Sequence, residues 1–181
     1  MERVFEDFPY LTHAAVPELS RFREEVSDAL VREHAAWVPQ GSGSHNFRTS
    51  SDHPFFERLY SRFYFECLAW FERFTVHPDN HRAAYVYVQT ATRGSPHWHD
   101  HLRTSSISGV YYLAVPDPRG EIWFRRRDRI RKVSPKEGHL YLFPRWLPHK
   151  PMPQEAHEHR ISINVELLTI EIPVARDGTR W

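Results

Sequence analysis

Gly138-His139-Leu140-Tyr141-Leu142-Phe143-Pro144-Arg145-Trp146-Leu147-Pro148-His149 reads as an apolar strand that runs into a proline-bounded turn and delivers a histidine at its far end. Strand ends of β-sandwiches commonly carry functional groups, since a rigid scaffold positions side chains on the connecting loops. A single histidine placed so would more often be structural. The upstream run Ser95-Pro96-His97-Trp98-His99-Asp100-His101 changes that weighting. Histidines two apart in an extended chain project to the same side, so a pair of them can chelate one ion. The pair is either His97 with His99 or His99 with His101, and His149 is the candidate third ligand. Asp100 is a candidate to brace an imidazole or to ligate directly.

Around these two stretches the chain is β-rich. Short runs of strand-forming residues at 83–90, 106–115, 121–124, 130–133, 139–143 and 160–168 are separated by Pro, Gly and charge clusters. That density of short strands fits an antiparallel sandwich or barrel better than βαβ units. The N-terminal part is helical. Pro17 can open a helix, and Leu19, Phe22, Val26 and Leu30 recur at helical spacing up to Trp37. Asp52 and Pro54 read as an N-cap and an early helical proline ahead of an aromatic-rich helix over 55–74, expected to pack on the sheet. The expected fold is mainly β with N-terminal helices. It is organised as a single domain, with a helical cover at 1–80, a β core at 81–170 and a tail at 171–181.

In the last long strand, alternation puts Arg160, Ser162 and Asn164 on one face and Ile161 and Ile163 on the other. If that first face looks inward, the Arg160 guanidinium needs an acidic partner or a bound carboxylate.

The order of these motifs is similar to that of the iron(II) and 2-oxoglutarate-dependent oxygenases. More narrowly, Ser108-Gly109-Val110-Tyr111-Tyr112-Leu113, Pro135-Lys136-Glu137-Gly138, Leu142-Phe143-Pro144, His149 and Arg160-Ile161-Ser162-Ile163-Asn164 resemble the bacterial and phage 2-oxoglutarate oxygenases with His-x-His before Ser-Gly-Val-Tyr-Tyr. The resemblance covers roughly residues 84 to 168. It implies a double-stranded β-helix (a jelly-roll, cupin-like fold) with two covering α-helices, and a hydroxylase using Fe(II), 2-oxoglutarate and O2 and releasing succinate and CO2. By the same resemblance, His149 is the distal iron ligand, Arg160 binds the far carboxylate of 2-oxoglutarate with help from Ser162, and Tyr111, Tyr112 or Gln89 adds a hydrogen bond. Most of the superfamily pairs His-x-Asp or His-x-Glu with the distal histidine; this chain offers only histidine pairs.

The composition narrows the partners. With 24 Lys plus Arg against 23 Asp plus Glu the net charge is +1, which gives no field to recruit nucleic acid or an anionic membrane. The run Arg125-Arg126-Arg127 with Arg129, Arg131 and Lys132 reads as a solvated strand pair, with an acidic substrate as the lesser option. A small-molecule substrate is expected, and either a monomer or a homodimer is compatible with the sequence. Cys67 is the only cysteine, so no internal disulfide forms, and its apolar neighbours point to an inert thiol. With no long apolar run and an acidic start, the cytoplasm is the expected location. Trp98, Trp123 and Trp146 are candidates for the mouth of the site, and the loop around Gly41-Ser42-Gly43, with Asn46 to Ser50, for its lid.

Two rival readings keep most of these residues. A three-histidine cupin-type dioxygenase or isomerase explains Gly138, Pro144 and His149 but leaves Arg160-x-Ser162 without a role. A non-catalytic metal- or ligand-binding β-sandwich explains the histidines alone.

Overall fold

A computed structural model describes residues 1–37, 46–49, 51–80, 84–89, 97–103, 105–156 and 158–181, without the side chains of Trp37, Asn46 and Gln89. The candidate lid at Gly41-Ser42-Gly43 and the Ser95-Pro96 approach to the histidines lie outside these residues. In chain order the strands and helices are β1 (Glu2–Arg3), β2 (Thr12–Ala15), α1 (Arg23–Trp37), β3 (Asn46–Arg48), α2 (Pro54–Trp70), β4 (Phe71–Arg73), β5 (Ala84–Gln89) and β6 (Ile107–Ala114). There follow β7 (Ile122–Arg126), β8 (Arg129–Val133), β9 (His139–Pro144), β10 (His149–Pro151), β11 (Arg160–Leu167) and β12 (Val174–Ala175). A 3-10 turn over Pro17–Phe22 leads into α1.

Seven strands form one antiparallel sheet in the order β1-β2-β9-β6-β11-β5-β3, and three form a second in the order β10-β7-β8. The large sheet separates two cores. On its helix side, Ile107, Tyr111, Leu113, Ile161, Ile163 and Val165 pack with Leu59, Phe63 and Cys67 of α2 and with Val26 and Leu30 of α1. On the other side, Val110, Tyr112, Tyr141 and Phe143 meet Ile122, Phe124 and Val133 of the small sheet. Two sheets facing each other, with helices on the back of the larger, make the expected double-stranded β-helix.

Gly109 fixes how closely helix and sheet approach. A Cβ there would sit 2.9 Å from the Phe63 ring and 2.9 Å from Val165 Cγ2, so only glycine lets α2 lie flat on β6. The N-cap of α2 is His53, whose ring nitrogen accepts from Phe55 N at 3.1 Å; Asp52 does not cap it. The helix stops at Trp70, earlier than the aromatic pattern suggested, because Phe71–Arg73 turns extended and pairs with the tail strand β12. The segment expected to be a purely helical cover also supplies β2 and β3 to the large sheet. Asn46–Arg48 is therefore an edge strand on β5 rather than part of a lid. Cys67 is fully buried, which raises its thiol pKa well above the usual range, as an inert cysteine requires.

Candidate metal and co-substrate site

The histidine-rich segment and the start of β10 are tied to each other by backbone. His99 N donates to His149 O at 3.0 Å and His149 N to His99 O at 2.9 Å, an isolated antiparallel bridge between the two. His101 follows two residues on, held by His101 N to Arg145 O at 2.8 Å. One ligand atom from each of His99, His101 and His149 lies within 4.8 Å of the others. His97 sits apart from that group, exposed at the cavity edge with its ring 5.7 Å from that of His99. The structure thus brings together His99-x-His101 and His149. Asp100 is turned away, accepting from Leu102 N at 3.2 Å.

The far side of each ring is also occupied. His101 Nδ1 donates to Glu166 Oε1 at 2.6 Å, and His149 Nδ1 to the Leu147 carbonyl at 3.0 Å. Because a carboxylate and a carbonyl only accept, both rings carry their proton on Nδ1 and turn an Nε2 lone pair inward. The two Nε2 atoms stand 3.3 Å apart. A divalent ion bound by imidazole at about 2.1 Å holds neighbouring nitrogens roughly 3.0 to 3.4 Å from each other. The His101–His149 pair therefore has the spacing of two donors to one metal ion, with a His99 nitrogen within 4.8 Å to join them. Burial, then the neighbouring imidazoles of His99 and His101, holds the His149 pKa well below its ordinary value, so the ring is a neutral nitrogen donor rather than a cation.

The histidines open into a cavity of about 270 Å³ between the two sheets, whose walls include Tyr87, Val110, Tyr112, Ile122, Ser162 and Asn164. Strand alternation explains this lining. On β11, Ser162 and Asn164 look into the cavity and Glu166 reaches His101, while the isoleucines between them face the helices. Arg160 starts the same face and is almost wholly buried. Its guanidinium donates to the Gly120 carbonyl and, at 2.9 Å, to the Met152 carbonyl. A Cβ at Gly120 would meet Arg160 Nη1 and lie 3.0 Å from Gln154 Cβ, so a larger residue there must push the guanidinium aside. The turn presenting Gly120 is pinned by Asp117, which accepts from Arg119 Nε at 3.0 Å and from Glu155 N at 3.0 Å. Those hydrogen bonds, Arg119's side chain foremost, lower the Asp117 pKa to about 2.

Tyr111 is not brought to the cavity. It points into the helix-side core against Phe55, where burial pushes its pKa up to about 12. Tyr112, one residue on, takes its place beside Arg160's strand, with Tyr87 from β5. The deciding signal was Gly109: its close approach to α2 sets the parity of β6, turning Tyr111 toward the helices and Tyr112 inward. Glu166 was also missed, although the alternation read at Arg160, Ser162 and Asn164 runs on to it. Trp98 and Trp123 flank Lys150 near the site, whereas Trp146 packs edge-on against Tyr10 with ring centres 4.9 Å apart.

Residues 125–166 match the sequence profile of the family described as "Putative 2OG-Fe(II) oxygenase". That match, spanning β7 to β11, bears out the resemblance read from the sequence and the enzyme class that goes with it. No curated protein matches the chain by sequence. Among solved structures, the chain is similar to a viral collagen prolyl hydroxylase from Paramecium Bursaria Chlorella virus-1. There the TM-score is 0.63 at 13% identity, covering 90% of this chain and 91% of that one. A Pseudomonas putida prolyl-4-hydroxylase gives a TM-score of 0.61 at 16% identity over 91% of this chain and 96% of its own. The α-ketoglutarate-dependent carbocyclase SnoK from nogalamycin biosynthesis gives 0.59 at 13% identity over 93% and 83%. At such identities the likeness establishes the double-stranded β-helix.

Proposed function

We propose that this chain is an iron(II)- and 2-oxoglutarate-dependent hydroxylase in which His99, His101 and His149 hold the metal while Arg160, with Ser162, receives the distal carboxylate of 2-oxoglutarate. The observation that carries the reading is the convergence of three imidazoles at the end of a cavity whose wall is the Arg160-to-Glu166 strand. An iron(II) ion held there would bind 2-oxoglutarate and activate O2, the oxidant, so that one oxygen atom goes to succinate as CO2 leaves and the other to the hydroxylated substrate.

The chain's own contribution is positional. Glu166 and the Leu147 carbonyl fix the tautomer and direction of two ligand rings. Where a metal-binding aspartate or glutamate is usual, this site places its carboxylate one bond network further out, on Glu166 behind His101. The carbonyls of Gly120 and Met152 hold the Arg160 guanidinium, whose planar fork is suited to a carboxylate, on the strand that also carries the cavity-lining Ser162 and Asn164. Val110 and Ile122 make one part of the wall apolar. At about 270 Å³ the space lies just under the roughly 300 Å³ lower bound of ordinary ligand pockets, so it admits a five-carbon diacid with a small molecule or the reacting end of a larger one. A reducing compartment such as the cytoplasm suits the lone buried thiol.

Anaerobic titration of the iron(II)-loaded protein with 2-oxoglutarate tests this directly. A weak visible charge-transfer band is expected, lost in His149→Ala and Arg160→Ala. Stoichiometric iron with no band would overturn the reading. A cupin-type oxygenase working without 2-oxoglutarate is the second reading, favoured by the all-histidine set and by backbone carbonyls already engaging Arg160. Oxygen uptake without succinate would select it.

A further inference from the structure

The outer face of the small sheet carries an arrangement that the hydroxylase reading leaves unused. Cross-strand register places Lys150, Trp123 and Lys132 in one row over β10, β7 and β8. Arg125 and Trp98 extend the row, and cations alternate with indoles along it. The Arg125 guanidinium carbon lies 4.6 Å from the Trp98 ring centre, and Lys150 Nζ lies 4.9 Å from Trp98 and 4.7 Å from Trp123. Lys132 Nζ lies 4.3 Å from Trp123. Every one of these is inside the roughly 6 Å reach of cation–π attraction, so the indoles hold three otherwise flexible charges in place.

One carboxylate lies in the row, Glu121, whose Oε2 accepts from Trp123 Nε1 at 2.8 Å, but it forms no ion pair with the cations. Among the described residues none of Arg125, Lys132 and Lys150 forms an ion pair, while Arg129 and Arg131 on the same hairpin both meet Asp7. In a chain whose net charge is only +1, three ordered, like charges in one row are a local concentration that an anion would relieve. The row ends at the cavity. Trp98 stands between His97, which lines the opening, and His99; Lys150 directly follows His149. A cavity of about 270 Å³ that also receives a diacid leaves most of any large substrate outside, on this face.

We propose that the Arg125–Trp98–Lys150–Trp123–Lys132 face binds the acidic flank of a polypeptide whose target side chain enters the cavity, the second clause resting on the hydroxylase reading. Carboxylates fit this face better than nucleobases do. Bases stack on open aromatic faces, whereas both indoles here are already approached by two cations each. Strands lie about 4.8 Å apart, so Lys150 to Lys132 spans roughly 10 Å, the length of about three extended residues. Acidic residues are therefore expected within a few positions of the target.

Fluorescence anisotropy of a fluorescein-labelled octaglutamate peptide against the full chain tests the proposal. The triple variant Arg125→Gln, Lys132→Gln, Lys150→Gln is compared with Arg32→Gln, Arg58→Gln, Arg73→Gln, which removes the same charge from exposed positions elsewhere. Wild type and the second variant are expected to bind the peptide, the first about tenfold more weakly, the sum of three solvent-exposed pairs. Octaglutamine should not bind. The single variant Lys132→Glu, at an exposed position, gives the same readout should the triple variant fold poorly by circular dichroism. Equal binding by wild type and the face variants, no binding at all, or tighter binding of octathymidylate than of octaglutamate would each overturn the proposal. The assay needs neither iron nor 2-oxoglutarate. Peptide binding without a charge-transfer band would sink the hydroxylase reading and the second clause with it while leaving the acidic-peptide face standing, and the reverse pattern would sink this proposal alone.

Discussion

Glu166 is the residue on which the chemistry of an all-histidine face turns. Its carboxylate accepts from His101 Nδ1 at 2.6 Å, which fixes the tautomer and the direction of the ring. Replacement by Gln keeps the shape and removes the charge. Iron(II) affinity, measured by competition with a chelator, is expected to fall about 10- to 100-fold in Glu166→Gln with the fold intact. Gly120→Ala acts on the other half of the site. Its new Cβ displaces the guanidinium of Arg160, so the Kd for 2-oxoglutarate should rise while iron affinity stays at the wild-type value. At this scale the sequence revealed residues whose type is itself informative: paired histidines, a distal histidine, an arginine on an alternating strand. It did not separate His97 from His101, because both share His99 and only the bridge between His99 and His149 sets the pairing. Nor did it choose between Tyr111 and Tyr112, adjacent and chemically alike, whose roles depend on which way β6 faces.

At the level of elements, β6 and α2 are joined through a missing side chain. Gly109→Val would force Phe63 and Val165 aside in a filled core, and overpacking of that kind costs about 1–3 kcal/mol. Thermal unfolding followed by circular dichroism should show a lower Tm, and an unchanged Tm would mean that α2 is less firmly seated than its contacts imply. The long strands were legible because five or more residues of alternation leave a readable pattern. β1, β2, β3, β10 and β12 were not, since two to four residues carry no period and their pairing is set by distant partners. The end of α2 was hidden for a related reason: Phe71 and Phe74 continue an aromatic stripe although the backbone has already turned extended to meet β12.

For the molecule as a whole, a pair of histidines on the second and third strands of the large sheet links stability to pH. His13 on β2 and His139 on β9 stack with ring centres 5.4 Å apart and share a hydrogen bond of 3.2 Å between their Nδ1 atoms. Burial chiefly lowers both pKa values below the ordinary 6.5, and Lys136 and, for His139, His13 add to this while Glu2 opposes it. The unfolded chain thus binds more protons than the folded one just below pH 6.5. Stability from this pair is present above that value and declines as pH falls through the folded-state values. Urea unfolding at pH 7.5 and 5.5 should show the loss, and His13→Gln should make it smaller; an unchanged difference would remove the pair as its source. Elsewhere in the fold, the bridge between His99 and His149 means that two of the proposed ligands are fastened to each other by backbone before any ion arrives. A seat built in advance from neutral imidazoles cannot reject an ion by reshaping itself, and imidazole donors follow the general rise in affinity from iron toward copper, with zinc also ahead of iron. Which metal the chain carries is then governed by the supply it meets while folding, and zinc or copper taken up at that stage would leave a well-folded protein with no oxygenase activity.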